Sequence, residues 1–466
     1  MERLSGAGVA CACLIAGLLF CACSENDGTS DNTDLLSVVA ISRHGIRSQT
    51  FSREDVNLFT QRPQGYPLWP PPADVPGNLT THGQDNAARL GAWYRDFYAA
   101  QGLLPPRGSC PAAGTVFAYA DNIERTIHTA QGYLDGMFQG EATADCGVTV
   151  QHAAAGTVDP YINTLPAGVC KVESAADQAA FNARTGGDPA SLTTTYAPQL
   201  QTLQTVTQCC QVAVCATAGS PTPTSCSLLD LPSTMSVDAT TGAVQFGPLF
   251  EVADSVMAEQ FQLEFAQGMP ETDCATTSGA ECVGWGAIPS GGLDDLMKLR
   301  VVHFDLTARL PSYAQASASN LMWQLVGTMD QALSGEKNAD ILAPTQSKFA
   351  LFVGHDDSTI APIGAFLGVN WQAESFQPND PGPAGALVFE LHRERASGQP
   401  IMKLFYVIAT LDQMRKGTDL TLETPPQRIP LTIPACAGTD CPYDEFKAFV
   451  TNHVRQDCLV TPASAP

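Results

Sequence analysis

The sequence predicts an α/β fold: a central, mostly parallel sheet flanked by helices, with an inserted, mainly helical cap domain. Three observations predict it. Leu35-Leu36-Ser37-Val38-Val39-Ala40-Ile41 is a continuous apolar run, the pattern of a strand buried on both faces. Two later runs of the same kind, Val116 to Ala120 and Phe349 to Val353, also stop at charged or imidazole residues. Between 156 and 298 the pattern changes, with fewer strand signals, helical runs such as Val252 to Phe265, and cysteine-bearing loops.

Taken in order, the elements begin with a leader. After Arg3 the chain is apolar and small from Ala7 to Ala22, the length of a signal-peptide core and short for a membrane span. It closes on Phe20-Cys21-Ala22-Cys23-Ser24, which resembles a bacterial lipoprotein cleavage box with Cys23 as the lipidated residue, although Phe20 stands where Leu is usual. The expected organisation is a signal peptide over 1–23, a flexible tether over 24–34, an α/β core over 35–155 and 299–466, and the cap over 156–298. The first strand stops at Ser42-Arg43-His44-Gly45. A helix follows where Ala87, Leu90, Trp93, Tyr94 and Phe97 recur at helical spacing. The second strand stops at Asp121 and is followed by Glu124-Arg125-Thr126; the third stops at Gly354-His355-Asp356. Ala386 to Leu391 and Ile401 to Val407 read as two more strands joined by a polar turn.

Composition narrows the function classes. The 466 residues hold 24 Lys+Arg against 47 Asp+Glu, a net charge of −23. That excess repels phosphate backbones, so broad nucleic-acid binding is not expected. With 39 Gly and 33 Pro, long coiled coils and fibrous folds are excluded as well. A monomer is the default expectation. Of 16 Cys, Cys11, Cys13, Cys21 and Cys23 belong to the leader, which leaves an even number for disulfides in an oxidising compartment. Cys274/Cys282 and Cys436/Cys441 bracket short loops and are natural local pairs. Cys209, Cys210, Cys215 and Cys226 are expected to pair among themselves, with three pairings open. The spacing of a zinc site is absent.

In open α/β sheets ligands bind beyond the carboxyl ends of the strands. The residues delivered there are Arg43, His44, Arg47, Arg125, His355 and Asp356, a local concentration of cations on an acidic chain. Planar guanidinium forks suit phosphate oxygens. A neutral His44 is a competent nucleophile toward phosphorus, and Asp356 is the acid best placed to protonate a leaving group.

Arg43-His44-Gly45-Ile46-Arg47-Ser48 resembles the signature of the histidine acid phosphatases, and Gly354-His355-Asp356 resembles their second motif. Asp121-Asn122-Ile123-Glu124-Arg125-Thr126 resembles the segment that holds a third phosphate arginine. Leu79-Thr80-Thr81-His82-Gly83, Gly268-Met269-Pro270-Glu271, Gly284-Trp285-Gly286 and the run from Thr418 to Pro426 are similar to the bacterial branch that includes phytases and glucose-1-phosphatase. The likeness runs in order from about residue 36 to 458. It implies a phosphate monoester substrate, phytate or sugar phosphates among the candidates, and no metal or organic cofactor. By position it implies His44 as nucleophile, Arg43, Arg47, Arg125 and His355 as phosphate ligands, and Asp356 as proton donor. It also implies the disulfides Cys110–Cys146, Cys170–Cys458 and Cys436–Cys441, and periplasmic or surface localisation.

The chain departs from the family pattern at three places. Gln49 replaces the proline that usually follows the first motif, which would loosen that loop. The second motif carries one extra residue, so that Asp357 rather than Asp356 takes the acid's place if the alignment is made from Ser358-Thr359-Ile360-Ala361. Phe51 follows Thr50 where phytases often have Lys, which weakens the case for a many-phosphate substrate. Thr50, Asp121 and Glu271 are candidate specificity residues; a helix cap is the alternative for Asp121 and a solvent-facing loop carboxylate for Glu271. His303 reads as a satisfied core or cap-facing histidine, His82 and His128 as structural, and His152, His392 and His453 show no partner by spacing. There are two rivals: a mutase or phosphotransferase that keeps the same residues, and a non-catalytic phosphosugar-binding lipoprotein, motivated by Gln49 and the irregular second motif.

Overall fold

The computed structural model describes residues 32–138, 146–218, 224–269, 283–436 and 438–461. The leader with Cys23, Glu271, and the Cys274/Cys282 pair lie outside the described residues. From Thr33 onward the chain clusters as one unit.

Ten strands are described: β1 Thr33–Arg43, β2 Val116–Ala120, β3 Val150–Gln151, β4 Ser233–Val237, β5 Val244–Pro248, β6 Phe349–Gly354, β7 Ala386–Glu394, β8 Pro400–Ile408, β9 Gln427–Leu431 and β10 Cys441–Pro442. All but β4 and β5 form one 8-stranded sheet in the order β10-β8-β7-β1-β6-β2-β3, with β9 added to β8. The strands that carry the sequence motifs are parallel neighbours: β1 pairs with β6, β6 with β2, and β2 with β3. The β7–β8 hairpin, β9 and β10 extend the other side in antiparallel fashion. The apolar runs therefore become central strands for the expected reason. Val38 to Ile41, Phe349 to Leu351 and Leu387 to Phe389 are fully buried, because helices cover both faces of the sheet.

The Thr81–Ala100 helix packs on the Glu124–Phe138 helix. It begins at an N-cap, Thr80, whose side chain accepts from the Gly83 amide. Its buried face includes Ala87, Leu90, Trp93 and Tyr94, the residues that set the helical spacing. Pro311–Ser334 is the longest helix among the described residues and leads back to β6.

Among the described residues between 156 and 298, only the short β4–β5 hairpin is sheet. A second hydrophobic cluster forms there, around Phe181, Leu203, Phe246, Phe250 and Phe261. Val56 and Tyr66, from the segment after the first motif, join it. The expected helical run is present but divided: Val252–Ala258 is π-helical and Glu259–Ala266 is α-helical.

Among the described residues, the disulfides are Cys110–Cys146, Cys170–Cys458, Cys209–Cys210, Cys215–Cys226 and Cys436–Cys441. The local group thus pairs within itself, and the pairing left open by its spacing is resolved. Among the described residues, no helix is long and apolar enough to cross a membrane.

Candidate active site

Register brings the motif residues together. Arg43 lies opposite Gly354 across β1 and β6, and Ala120 lies opposite Val353 across β2 and β6. The three strands therefore end level, and His44, His355 and Asp121 follow at one edge. Backbone bonds hold that edge: the amide of His44 donates to the Gly354 carbonyl at 2.9 Å, and that of Asp121 to the Val353 carbonyl at 3.0 Å. These ends floor a cleft of about 470 Å³ lined by His44, Arg47, Arg125, Arg300, His355 and Asp356, with Asp357 and Thr50 among the other wall residues.

The loop after β1 depends on two close backbone approaches. A Cβ at Gly83 would sit 2.3 Å from the Ile46 carbonyl oxygen, and one at Gly45 would sit 3.1 Å from the Gly83 carbonyl oxygen. Glycine at both positions lets the Thr81–Ala100 helix press its first turn against the loop. Gln49 ties the loop rather than loosening it. Its side chain accepts from Trp69 Nε1 at 3.3 Å, and its carbonyl accepts from the Gly77 amide at 2.7 Å.

His44 is buried, 5.5 Å from His355 between ring centroids. Its Nδ1 is 2.9 Å from the Gly45 carbonyl oxygen. A carbonyl can only accept, so Nδ1 carries the proton and the Nε2 lone pair is left free. Burial, reinforced by the charges of Arg125, Arg43 and Arg47, holds the imidazole well below its ordinary pKa, so it stays neutral.

Arg43 is fully buried and Arg47 nearly so. Glu259 bridges them, with one oxygen on Arg43 and the other 2.9 Å from Arg47 Nη2. Arg125 Nη2 stands 3.5 Å from His355 Nδ1. The Nε atoms of Arg43, Arg47 and Arg125 are buried without a hydrogen-bond partner. Such unpaired donors are costly unless an acceptor enters, and an oxyanion among them supplies one.

Asp356 contacts Arg43 Nη2 at 2.9 Å and also pairs with Arg300. Burial alone would push its carboxyl up, but Arg43 and Arg300 outweigh that and hold it well below the usual carboxylate range. Asp357 is pushed the other way, by the cleft wall that partly desolvates it and by the neighbouring Asp356 charge. The extra residue of the second motif is absorbed in a π turn, Asp356–Ile360, where the Ile360 amide donates back to the His355 carbonyl at 3.1 Å. His355 and Asp356 thus keep their places at the strand end, and Asp357 opens to solvent.

Asp121 does not line the cleft, and its main contact is neither of its two expected ones. It is fully buried, and its Oδ2 accepts from His355 Nε2 at 2.6 Å. It orients the imidazole as a second-layer carboxylate does for a ligand histidine. His303 donates from Nδ1 to Asp254 at 2.9 Å, His82 bonds the Met414 carbonyl, and His128 pairs with Glu124. His392 has partners that spacing did not disclose, Thr33 and Glu390.

Two residues of the site escaped the sequence reading. Glu259 faces the arginines from the far helix, and Arg300 joins Asp254 at 3.1 Å, Asp380 at 3.4 Å, Glu259 at 3.5 Å and Asp356. A carboxylate inside the helical Val252 to Phe265 run was the available signal for Glu259, and Asp254 and Glu264 share it. Arg300 carried none.

A sheet edge with a neutral buried imidazole, converging guanidiniums and unpaired N–H donors defines a phosphate-handling enzyme. Residues 34–407 match the family model of the histidine phosphatase superfamily (branch 2), and the chain belongs to that family of phosphatases. It is 33% identical over 410 residues to phytase AppA of Escherichia coli, covering 86% of this chain and 87% of that one. It is 30% identical over 426 residues to glucose-1-phosphatase of Salmonella typhimurium, covering 90% and 92%. Among solved structures, the Hafnia alvei phytase in complex with tartrate is similar at a TM-score of 0.78 and 28% identity, over 92% of this chain and 99% of that one.

Proposed function

We propose that this phosphatase hydrolyses phosphate monoesters through a phosphohistidine on His44. The observation that carries the reading is the 2.9 Å contact of His44 Nδ1 with the Gly45 carbonyl, which requires a protonated Nδ1 and so an unprotonated Nε2, in a cleft with Arg47 and Arg125. The phosphoryl group binds among Arg43, Arg47, Arg125 and His355, taking up the orphaned guanidinium donors. Nε2 attacks phosphorus, the ester P–O bond breaks, and the leaving oxygen takes a proton from Asp356. Water then attacks the phosphohistidine, giving its proton to the Asp356 carboxylate, and inorganic phosphate departs with the N–P bond broken.

In the free enzyme Asp356 is ionised by its arginines. A phosphate dianion competes for those guanidiniums and adds negative charge beside the carboxyl, and both effects raise its proton affinity. Turnover is therefore fastest at acid pH. Phytate and sugar phosphates are the candidate substrates that the relatives' names supply. Residues 156–298 act as a cap over the sheet edge, and the exported chain is tethered through lipid on Cys23.

The test is phosphate release by protein beginning at Ser24, with chelator present, from p-nitrophenyl phosphate, glucose 1-phosphate and phytate across pH. The expected result is an acidic optimum and a loss of about a thousandfold or more in His44→Ala. Undiminished activity in His44→Ala overturns the mechanism.

A further inference from the structure

Beyond the floor of the cleft, cations are missing. Among the described residues that line it, the only basic side chains besides the histidines are Arg47, Arg125 and Arg300. Arg300 is 1% exposed and committed to Asp254, Glu259, Asp356 and Asp380, so it has no charge to spare for a ligand. No lysine lines the wall. The residues outside the described ones cannot supply one either: from position 32 onward, those segments contain no Lys or Arg in the sequence.

Apolar and hydroxyl groups take that place. Ile123 and Val158 line the cleft while 38% and 50% exposed, and Phe51, next to the lining Thr50, is 40% exposed. Leu165, Thr164 and Asn163 continue the wall. The chain around this wall is acidic as a whole, with a net charge of −23. A substrate carrying several phosphates would set its outer phosphates against apolar side chains, with no cation among the described wall residues beyond the floor to neutralise them.

We infer that the cleft takes the ester of a single phosphate on an uncharged leaving group with an apolar face, and discriminates against inositol polyphosphates. This rests on the phosphatase reading and narrows it. Ile123 and Val158 are specificity-determining residues that contact the leaving group.

The test compares kcat/KM for 1-naphthyl phosphate, glucose 1-phosphate and inositol hexakisphosphate at one acid pH and fixed ionic strength. The two monophosphates should exceed the hexakisphosphate by about a hundredfold or more, the size expected for uncompensated like charges. Ile123→Lys with Val158→Lys should raise kcat/KM for the hexakisphosphate, mainly through KM, and lower it for 1-naphthyl phosphate. Ile123→Ser with Val158→Ser should lower the naphthyl ester without helping the hexakisphosphate. A hexakisphosphate turned over as well as the monophosphates overturns the inference. Calorimetry on His44→Ala protein separates this from failure of the enzymatic reading. Tighter binding of 1-naphthyl phosphate than of inositol hexakisphosphate supports the inference even without turnover, and the reverse order sinks it.

Discussion

His44 shows how one backbone contact selects a chemistry. The Gly45 carbonyl fixes the proton on Nδ1, and burial among arginines keeps the ring neutral. Next to it, adjacent carboxyls are driven apart, Asp356 downward by Arg43 and Arg300, Asp357 upward by partial desolvation and by Asp356. If Asp356 is the acid, Asp356→Asn should cost about a hundredfold to ten-thousandfold with an alkyl phosphate. It should cost far less with p-nitrophenyl phosphate, whose leaving group needs no proton; the same pattern in Asp357→Asn instead would reassign the role. A third carboxyl, Glu264, is buried, with Oε2 accepting from the Trp285 amide at 3.0 Å and Oε1 unpartnered. Burial raises it from an ordinary 4.5 to about 8. The folded state then holds a proton that the unfolded chain has lost. Its contribution is fully present below 4.5 and disappears as pH rises toward about 8. Glu264→Gln should flatten the fall in Tm between pH 5 and pH 8 by an amount on the order of a few kcal/mol in stability. A slope unchanged by the substitution would show that Glu264 is not the group responsible.

The loop that carries the first motif and the Thr81–Ala100 helix are joined by contacts too tight for a side chain. Gly83→Ala would place a methyl 2.3 Å from the Ile46 carbonyl oxygen and displace the backbone leading to Arg47. We expect a loss of about 1–3 kcal/mol in urea unfolding. A tenfold or greater drop in kcat/KM should accompany it, since misplaced binding groups cost on that scale; wild-type stability and rate together would refute the packing role. At this scale much was legible. The apolar runs at Leu35, Val116 and Phe349 became the parallel centre of the sheet, because a strand buried on both faces has little freedom to be anything else. The extra residue before Ser358 was not legible as a π turn, because an insertion reads alike as a shift on either side. Gln49 likewise promised a looser loop, since its partner Trp69 lies 20 residues away.

Across the whole molecule the site is built from distant pieces. Glu259 reaches Arg43 across 216 residues, and Arg300 reaches Asp356 across 56. No periodicity encodes such a meeting; it exists once the second hydrophobic cluster sets the Glu259–Ala266 helix against the sheet edge. The motif residues were legible because each sits within a few positions of a strand end. Their counter-charges were not, because burial and long-range pairing decide them. The same assembly makes the central claim open to direct trial. Mature protein is mixed with a phosphate ester labelled with phosphorus-32 at acid pH and quenched within milliseconds, and the labelled peptide is sequenced. The account predicts an acid-labile, alkali-stable phosphoryl group on His44, formed in a burst ahead of steady-state release and absent from His44→Ala. Steady release of phosphate with no labelled enzyme, or a label on another residue, would contradict it.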